Sequence, residues 1–477
     1  MTSVRRFGET LLCLSLLLLV SNCNRSPKLT TESPDALRAY QEGLDQFEKF
    51  YYREAKTSFE EALRKDSTFA MAWARMAMLE WAGMDEEGAR RDIATALRFS
   101  LKASEREQLF IRAWSQLINY NLPGATATVD SLIARYPEEK EPYLLRGNMY
   151  EQSKNLEGAI HSYQQAVAVD TSYAPAVMSL GYAYSRTGEL EKAAAQMQKY
   201  IRLAPDAADP HASYADILVY VGRYDEALKQ YTKALELKPD YWYAIRERGR
   251  IYQIEGRLKE AEEEYHASLK LLPQNRQIEG TQEVLNGYVN LDRSTYEEAR
   301  QQFIEALTID SNNYDAARGL VYALGKLKRY GDAEEIVKGV WRELVRRNLT
   351  ESPSMFSFYL MRARLLTDEG NLTRALANCD SAVGYSTSVT RSMVYRQMAE
   401  IYRLQKAYDP ALDACEQALQ VNPNYPDALL TLVRIYNDQG DRRMTREIGN
   451  RLMDFWAHAD PDYRNRIELM KILGANN

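Results

Sequence analysis

The stretch APAVMSLGYAYSRTGELEKAAAQMQKYIRLAP, residues 174–205, is followed by ADPHASYADILVYVGRYDEALKQYTKALELKP, residues 208–239. Laid 34 residues apart, Gly181 falls on Ala215, Gly188 on Gly222, Ala193 on Ala227, Met197 on Tyr231 and Pro205 on Pro239. A fixed period of this size marks a repeat architecture and overrides any domain count taken from length. Working outward, the trio Ala193, Met197, Tyr200 has upstream counterparts in Ala55, Phe59, Ala62, in Ala89, Ile93, Ala96 and in Ala159, Tyr163, Ala166. Downstream come Ala227, Tyr231, Ala234, then Ala261, Tyr265, Ser268. After a slip of four residues, Ala299, Phe303, Ala306 continue the series, followed by Ala333, Val337, Val340, by Ala375, Cys379, Ala382 and by Ala411, Cys415, Ala418.

The spacing has a physical reading. A small residue stands twelve before the first alanine in most copies, as at Gly43, Ala77, Gly147, Gly249, Gly287 and Ala399. Two helices per unit must cross closely, and small residues at the contact permit it. A glycine five before the alanine (Gly188, Gly222, Gly256, Gly370, Gly440) ends the first helix in the left-handed conformation. A proline twelve after it (Pro137, Pro205, Pro239, Pro273, Pro423) stops the second helix, because it has no backbone N–H to donate. Each unit buries its apolar face only against its neighbours.

The pattern resembles the tetratricopeptide repeat. The resemblance implies an all-α superhelical solenoid of about twelve helix-turn-helix repeats, starting near Ala36, Ala70, Arg106, Lys140, Ala174, Ala208, Trp242, Gly280, Tyr314, Phe356, Ser392 and Pro426. The third unit and the twelfth are degenerate, the latter with Thr445 and Gly449 at trio positions. Gln274 to Glu279 adds about four residues, and 348–355 adds about eight. The expected organisation is a signal peptide over 1–22, a lipidated flexible tether over 23–35, and units one to nine over 36–347. The insertion 348–355, units ten to twelve over 356–459 and a C-terminal capping helix within 460–477 follow, with Tyr463, Ile467, Met470 and Leu473 on one face of that helix. Ser33 to Gly43, Asp66 to Ala72 and Ser104 to Glu107 also resemble repeat modules attached to bacterial serine/threonine kinases and winged-helix regulators. The repeats leave no room here for a kinase or DNA-binding segment.

The first residues read as an address. Arg5 and Arg6 precede an apolar run from Leu11 to Val20, a secretory pattern too short to span hydrocarbon as a helix. Val20-Ser21-Asn22-Cys23 resembles the bacterial lipobox, which implies acylation of Cys23 and anchoring to an envelope membrane, facing the periplasm or exterior. The 67 acidic and 61 basic residues leave a net charge of −6, too mild to draw nucleic acid by bulk attraction.

No nucleophile elbow, paired-histidine zinc motif, phosphate-cradling glycine loop or paired CxxC is present, so neither catalysis nor a cofactor or metal is expected. Cys379 and Cys415 share one repeat position and read as small buried hydrophobes with free thiols. The resemblance implies that the second, fifth, ninth and twelfth positions of each unit face a concave groove. These are mixed in units four to six (Glu141, Tyr182, Asp209, Asp216) and turn basic later. Arg246, Arg250, Arg318, Arg364, Arg396, Arg403 and Arg434 form a row with Tyr322 interleaved, and Asp315, Glu400 and Asp427 are the carboxylates available to pair with them. Arginine holds carboxylates bidentately. The expected function is therefore a membrane-tethered scaffold that binds protein partners, such as acidic segments or C-termini, in this groove. The alternative is a solute- or glycan-binding lipoprotein serving a transporter, using Trp81, Trp114, Trp242 and Tyr243 as platforms.

Overall fold

The computed structural model of the chain describes residues 29–474, apart from Met84, residues 273–275, Glu351 and Pro353. The signal segment and Cys23 lie outside the described residues, within which there are twenty-five helices and no strand. None of these helices is long and apolar enough to cross a membrane. The chain divides into two compact units, one reaching Ser153 and including Ala168–Asp170, the other holding Lys154–Val167 and everything from Thr171. The division falls inside the fourth repeat, between its two helices.

The first unit contains α1 (Pro34–Glu48), α2 (Tyr52–Lys65), α3 (Ala70–Ala82), α4 (Glu86–Ser100), α5 (Glu105–Ile118), α6 (Leu122–Arg135) and α7 (Lys140–Gln152). The trio residues Ala55, Phe59 and Ala62 of α2 are fully buried. A Cβ on Gly43 would lie 2.7 Å from the Phe59 ring, so the small residue of the first helix is where the large residue of the second lodges. The third repeat, degenerate in sequence, buries Ala125, Val129 and Leu132 at the same positions. Arg75 on α3 is buried, donates to both oxygens of Glu141 at 2.6 and 2.9 Å and to Tyr40 at 3.1 Å, and lies over the Phe110 ring.

The tether is shorter than the sequence suggests. Leu29 packs on the first unit's core, and the Thr30 amide and hydroxyl donate to Glu107 at 3.0 and 2.5 Å. The Thr31 hydroxyl donates to Asp66 at 2.6 Å, and Ser33 caps α1 through the Ala36 amide. Polar side chains in a stretch without apolar periodicity thus serve as docking groups.

The second unit contains α8 (Leu156–Val169), α9 (Ala174–Thr187), α10 (Leu190–Leu203), α11 (Ala208–Tyr220), α12 (Tyr224–Leu237), α13 (Trp242–Ile254) and α14 (Leu258–Lys270). It continues with α15 (Arg276–Arg293), α16 (Tyr296–Ile309), α17 (Tyr314–Lys326), α18 (Tyr330–Arg346), α19 (Ser354–Asp368) and α20 (Leu372–Val383). It ends with α21 (Ser388–Leu404), α22 (Tyr408–Val421), α23 (Pro426–Gln439), α24 (Arg442–Phe455) and α25 (Arg464–Leu473). From α9 to α24 successive helices pack as pairs. The expected slip near Gln274 is taken up by an 18-residue α15. The longer insertion is absorbed similarly: α18 runs 17 residues, Leu349 packs into the core, and α19 already begins at Ser354. Helix α25 packs on α23 and α24, and Leu473 occupies the space that Gly449 leaves. Its fully buried residue is Leu469, with Ile467 and Met470 only half-buried, so the covering face is rotated from the expected one.

The second unit also closes on itself. Lys154 sits 5.1 Å over the Tyr385 ring. A Cβ on Gly188 would lie 3.1 Å from the Ser388 hydroxyl. The Asn424 amide donates to the Gly222 carbonyl and the Asn422 amide to the Tyr224 hydroxyl, both at 3.0 Å. Gly256 accepts from the Asp460 amide at 2.9 Å, and the Trp456 indole donates to the Ile254 carbonyl at 3.2 Å. Turns inside repeats five to seven thus meet the linkers that precede the sixth repeat further on, and Lys154 of repeat four reaches the same linker as Gly188, so four turns join three linkers as rungs of a seam. Three of those turns carry glycine with φ of +75° to +87°. Elsewhere Phe50, Tyr120, Ser294, Lys328 and Lys406 accept the left-handed conformation. A Cβ on Gly222 would collide with the Asn422 side chain and one on Gly256 with the Tyr463 ring, whereas at Gly440 it would meet nothing. The seam glycines therefore answer to close approach as well as to backbone conformation.

Candidate functional site

Closure leaves two cavities inside the second unit, of about 910 and 900 Å³. Arg464 and Asn465, at the start of α25, and Asp427, on α23, line both. The opening of α25 therefore divides what the repeat pattern predicts as one groove.

Eight tyrosines line the first cavity, Tyr182, Tyr220, Tyr243 and Tyr288 among them, with Asp216, Asp292 and Asp427 set against Arg186, Arg250, Arg318 and Arg464. Asp216 is buried and accepts from the hydroxyls of Tyr182, Tyr231 and Tyr243 at 2.7, 2.5 and 2.8 Å. Burial outweighs these three donors and raises its carboxyl to about 6. Seven residues earlier on α11, buried Asp209 accepts from Tyr241 at 2.7 Å and Tyr200 at 3.0 Å, and burial raises it too. Much of the high tyrosine content around α11 goes to satisfying these two carboxylates, as buried polar groups require.

The second cavity has fewer tyrosines and a larger cationic excess. Eight cationic side chains line it (Arg293, Lys326, Arg364, Arg396, Arg403, Arg434, Arg464, Lys471) against five carboxylates (Asp368, Glu400, Asp427, Asp438, Glu468). Burial alone would raise the Tyr322 phenol, yet the charges of Arg464, Arg364 and Lys326 hold it below its usual value. Glu400 is likewise held low against its burial, by hydrogen bonds from Arg403 and the charges of Arg434 and Arg403. Both groups report a positive potential.

The arginine row is split by this arrangement. Arg246 lines neither cavity; it pairs with Glu247 at 2.9 Å and stacks over Trp242 and Tyr243. Arg250 and Arg318 line the first cavity, paired with Glu247 at 3.1 Å and Asp315 at 2.9 Å. Tyr322, Arg364, Arg396, Arg403 and Arg434 line the second. There Arg403 bonds Glu400 at 2.8 Å, and Arg434 bonds Glu468 at 2.6 Å. Arg364 lies 4.2 Å over the Tyr322 ring. Arg464, Glu468 and Lys471 stand at groove-facing positions if the period is carried 34 residues beyond Pro426, a signal that reading α25 only as a cap overlooks.

Two of the four tryptophan and tyrosine platforms adjoin, the Trp242 and Tyr243 rings lying 6.1 Å apart. Trp81 and Trp114 belong to the first unit, Trp242 and Tyr243 to the second, and the Tyr243 hydroxyl is committed to Asp216. Cys379 and Cys415 are free and buried, and burial pushes both thiols up to about 12. Among the described residues no group of three or more histidine, cysteine or acidic side chains could hold a metal ion.

Family models of the tetratricopeptide repeat match residues 147–188, 174–207, 215–276 and 392–425. The chain is a tetratricopeptide-repeat protein, and its repeats build a protein-interaction scaffold. Among solved structures, TTC0263, a thermophilic tetratricopeptide-repeat protein of Thermus thermophilus, is 25% identical, covering 39% of this chain and 99% of its own, with a TM-score of 0.34. Two structures of MamA are 24% and 23% identical, covering 33% and 35% of this chain and 93% and 91% of theirs, each with a TM-score of 0.30. No curated protein sequence matches the chain.

Proposed function

We propose that the protein is a lipid-anchored scaffold of the bacterial cell envelope that holds an anionic segment of a protein partner in the basic cavity of its second unit. It acts by binding. The observation that carries this reading is the excess of cationic over acidic side chains around one cavity in an otherwise acidic chain. At about 900 Å³ the cavity is of the size that takes a ligand or short segment, not a folded domain. The tether through Cys23 rests on the lipobox-like sequence.

Affinity capture of the full-length protein from detergent-solubilised envelope tests the reading. A partner retained at low salt and released by about 0.5 M salt is expected, since the contact is between charges. A partner list indifferent to salt would move the site away from the cavity. Radiolabelled palmitate should enter the wild-type protein but not a Cys23→Ala variant; equal labelling would remove the anchor.

A further inference from the structure

Not every cation around the basic cavity has a carboxylate beside it. Five of its eight cations have a carboxylate within 4 Å: Lys326 has Asp368, Arg403 has Glu400, Arg434 has Glu468, Arg464 has Asp292, and Arg293 has Glu262. Arg364, Arg396 and Lys471 have no such partner among the described residues, and of the lining carboxylates Asp427 alone has no cation that close. Arg403 holds Asp438 as well as Glu400, so matched one to one the lining leaves three cations against two carboxylates, Asp427 and Asp438.

Two of these cations converge. Arg364 Nη1 and Arg396 Nη2 both approach Gln397 Oε1, at 3.5 and 3.3 Å, long for bonds from guanidinium. The Gln397 amide nitrogen is held by Thr367 at 3.0 Å, which keeps its oxygen toward the arginines. Arg396 Nε is buried without any partner. Two guanidiniums sharing one neutral oxygen, one with an idle buried donor, form a donor set in search of an acceptor.

Resting on the reading of this cavity as the ligand-facing surface, we propose that Arg364, Arg396 and Lys471 form a site for a phosphoryl group, a tetrahedral oxyanion carrying close to two charges. A single carboxylate supplies one charge and two oxygens. A phosphoryl group supplies about −1.5 to −2 and three acceptor oxygens, which suits a set of three cationic donors. The group can arrive as free phosphate or on a phosphorylated segment, and the test separates the two.

Isothermal titration of the purified full-length protein would use inorganic phosphate, acetate, and one peptide in phosphoserine and glutamate forms. Binding of phosphate, absence of acetate binding, and at least tenfold preference for the phosphoserine peptide over the glutamate form are expected. Phosphate binding without that preference would assign the site to the free anion, which sustains the proposal and narrows its source. The variant Arg364→Gln/Arg396→Gln should lose on the order of tenfold or more in phosphate affinity, about 1.4 kcal/mol or more. Lys471→Gln, which disturbs no buried contact, should weaken binding several-fold and keeps the test open should the double variant unfold. Arg443→Gln on the exposed face of α24 should change nothing. Acetate binding as tight as phosphate, or wild-type phosphate affinity in both cavity variants, would overturn the proposal. The first of these outcomes would leave the scaffold reading standing with a carboxylate ligand.

Discussion

Glycine at a repeat turn means two different things in this chain. Gly222 and Gly440 have nearly the same φ, +75° and +78°, but Asn422 and Asn424 crowd the first and nothing crowds the second. Gly440→Ala should cost about 1 kcal/mol, the penalty of a left-handed alanine. Gly222→Ala should cost about 3 kcal/mol or more, because a seam rung must also open and the added methyl group has nowhere to go; chemical denaturation of both variants measures the difference. Asp216 offers a second residue-scale prediction. Its carboxyl titrates near 6 in the folded chain, against about 3.9 unfolded. Between those values the folded state holds the extra proton, so stability falls as pH rises from about 4 to 6 and is flat above. Relative to Asp216→Asn, the wild type should lose on the order of 3 kcal/mol across that window, at about 1.36 kcal/mol per pH unit. An unchanged difference between the two proteins from about pH 4 to 7 would contradict the assignment. Trio alanines and turn glycines were legible in the sequence because they answer to contacts within one repeat. The left-handed Lys328 and Lys406 were not, since lysine does not advertise that conformation.

At the scale of elements, the 34-residue period places every helix pair, but not the lengths of helices next to insertions. The extra residues near Gln274 and in 348–355 go in part into the longer helices α15 and α18, because extending a helix satisfies backbone groups that a loop would leave to water, while a linker remains between Arg346 and Ser354. The periodic reading left the tether free, although Thr30 and Thr31 find acceptors in Glu107 and Asp66. Helix α14 shows another element-scale effect. Its own N-cap, Arg257, makes no side-chain bond to the helix start, and the Lys259 amide instead donates to Asp460 at 3.0 Å, a residue 201 positions away. Asp460→Ala should cost about 1 kcal/mol, as loss of a cap does. Hydrogen exchange at residues 258–261 should quicken in this variant; exchange unchanged there would show that the cap is idle.

At the scale of the whole molecule, the acidic balance of the chain conceals a basic interior site. Net charge averages over a surface, while a cavity is set by the few side chains that line it, so the arginine row was legible and its division into two cavities was not. That division depends on α25 and the seam, which join residues some two hundred positions apart and leave no periodic mark. Amides of α11 to α14 and of α21 to α24 should therefore exchange through one common opening in the second unit. Native-state hydrogen exchange with added denaturant measures this. Protection in α11 to α14 that survives after α21 to α24 have opened would show the rungs to be passive.

Repeat arrays ordinarily change length without harm, because each unit answers only to the next and a copy can be gained or lost in the middle. The stacking of Gly188, Gly222 and Gly256 on partners six repeats ahead removes that freedom. Deleting or duplicating one unit between the rungs would leave every local contact intact and set each glycine opposite the wrong linker. Copy number in this stretch is thereby a structural constant of the second unit, counted by three close-set turns, two of which have no room for a side chain.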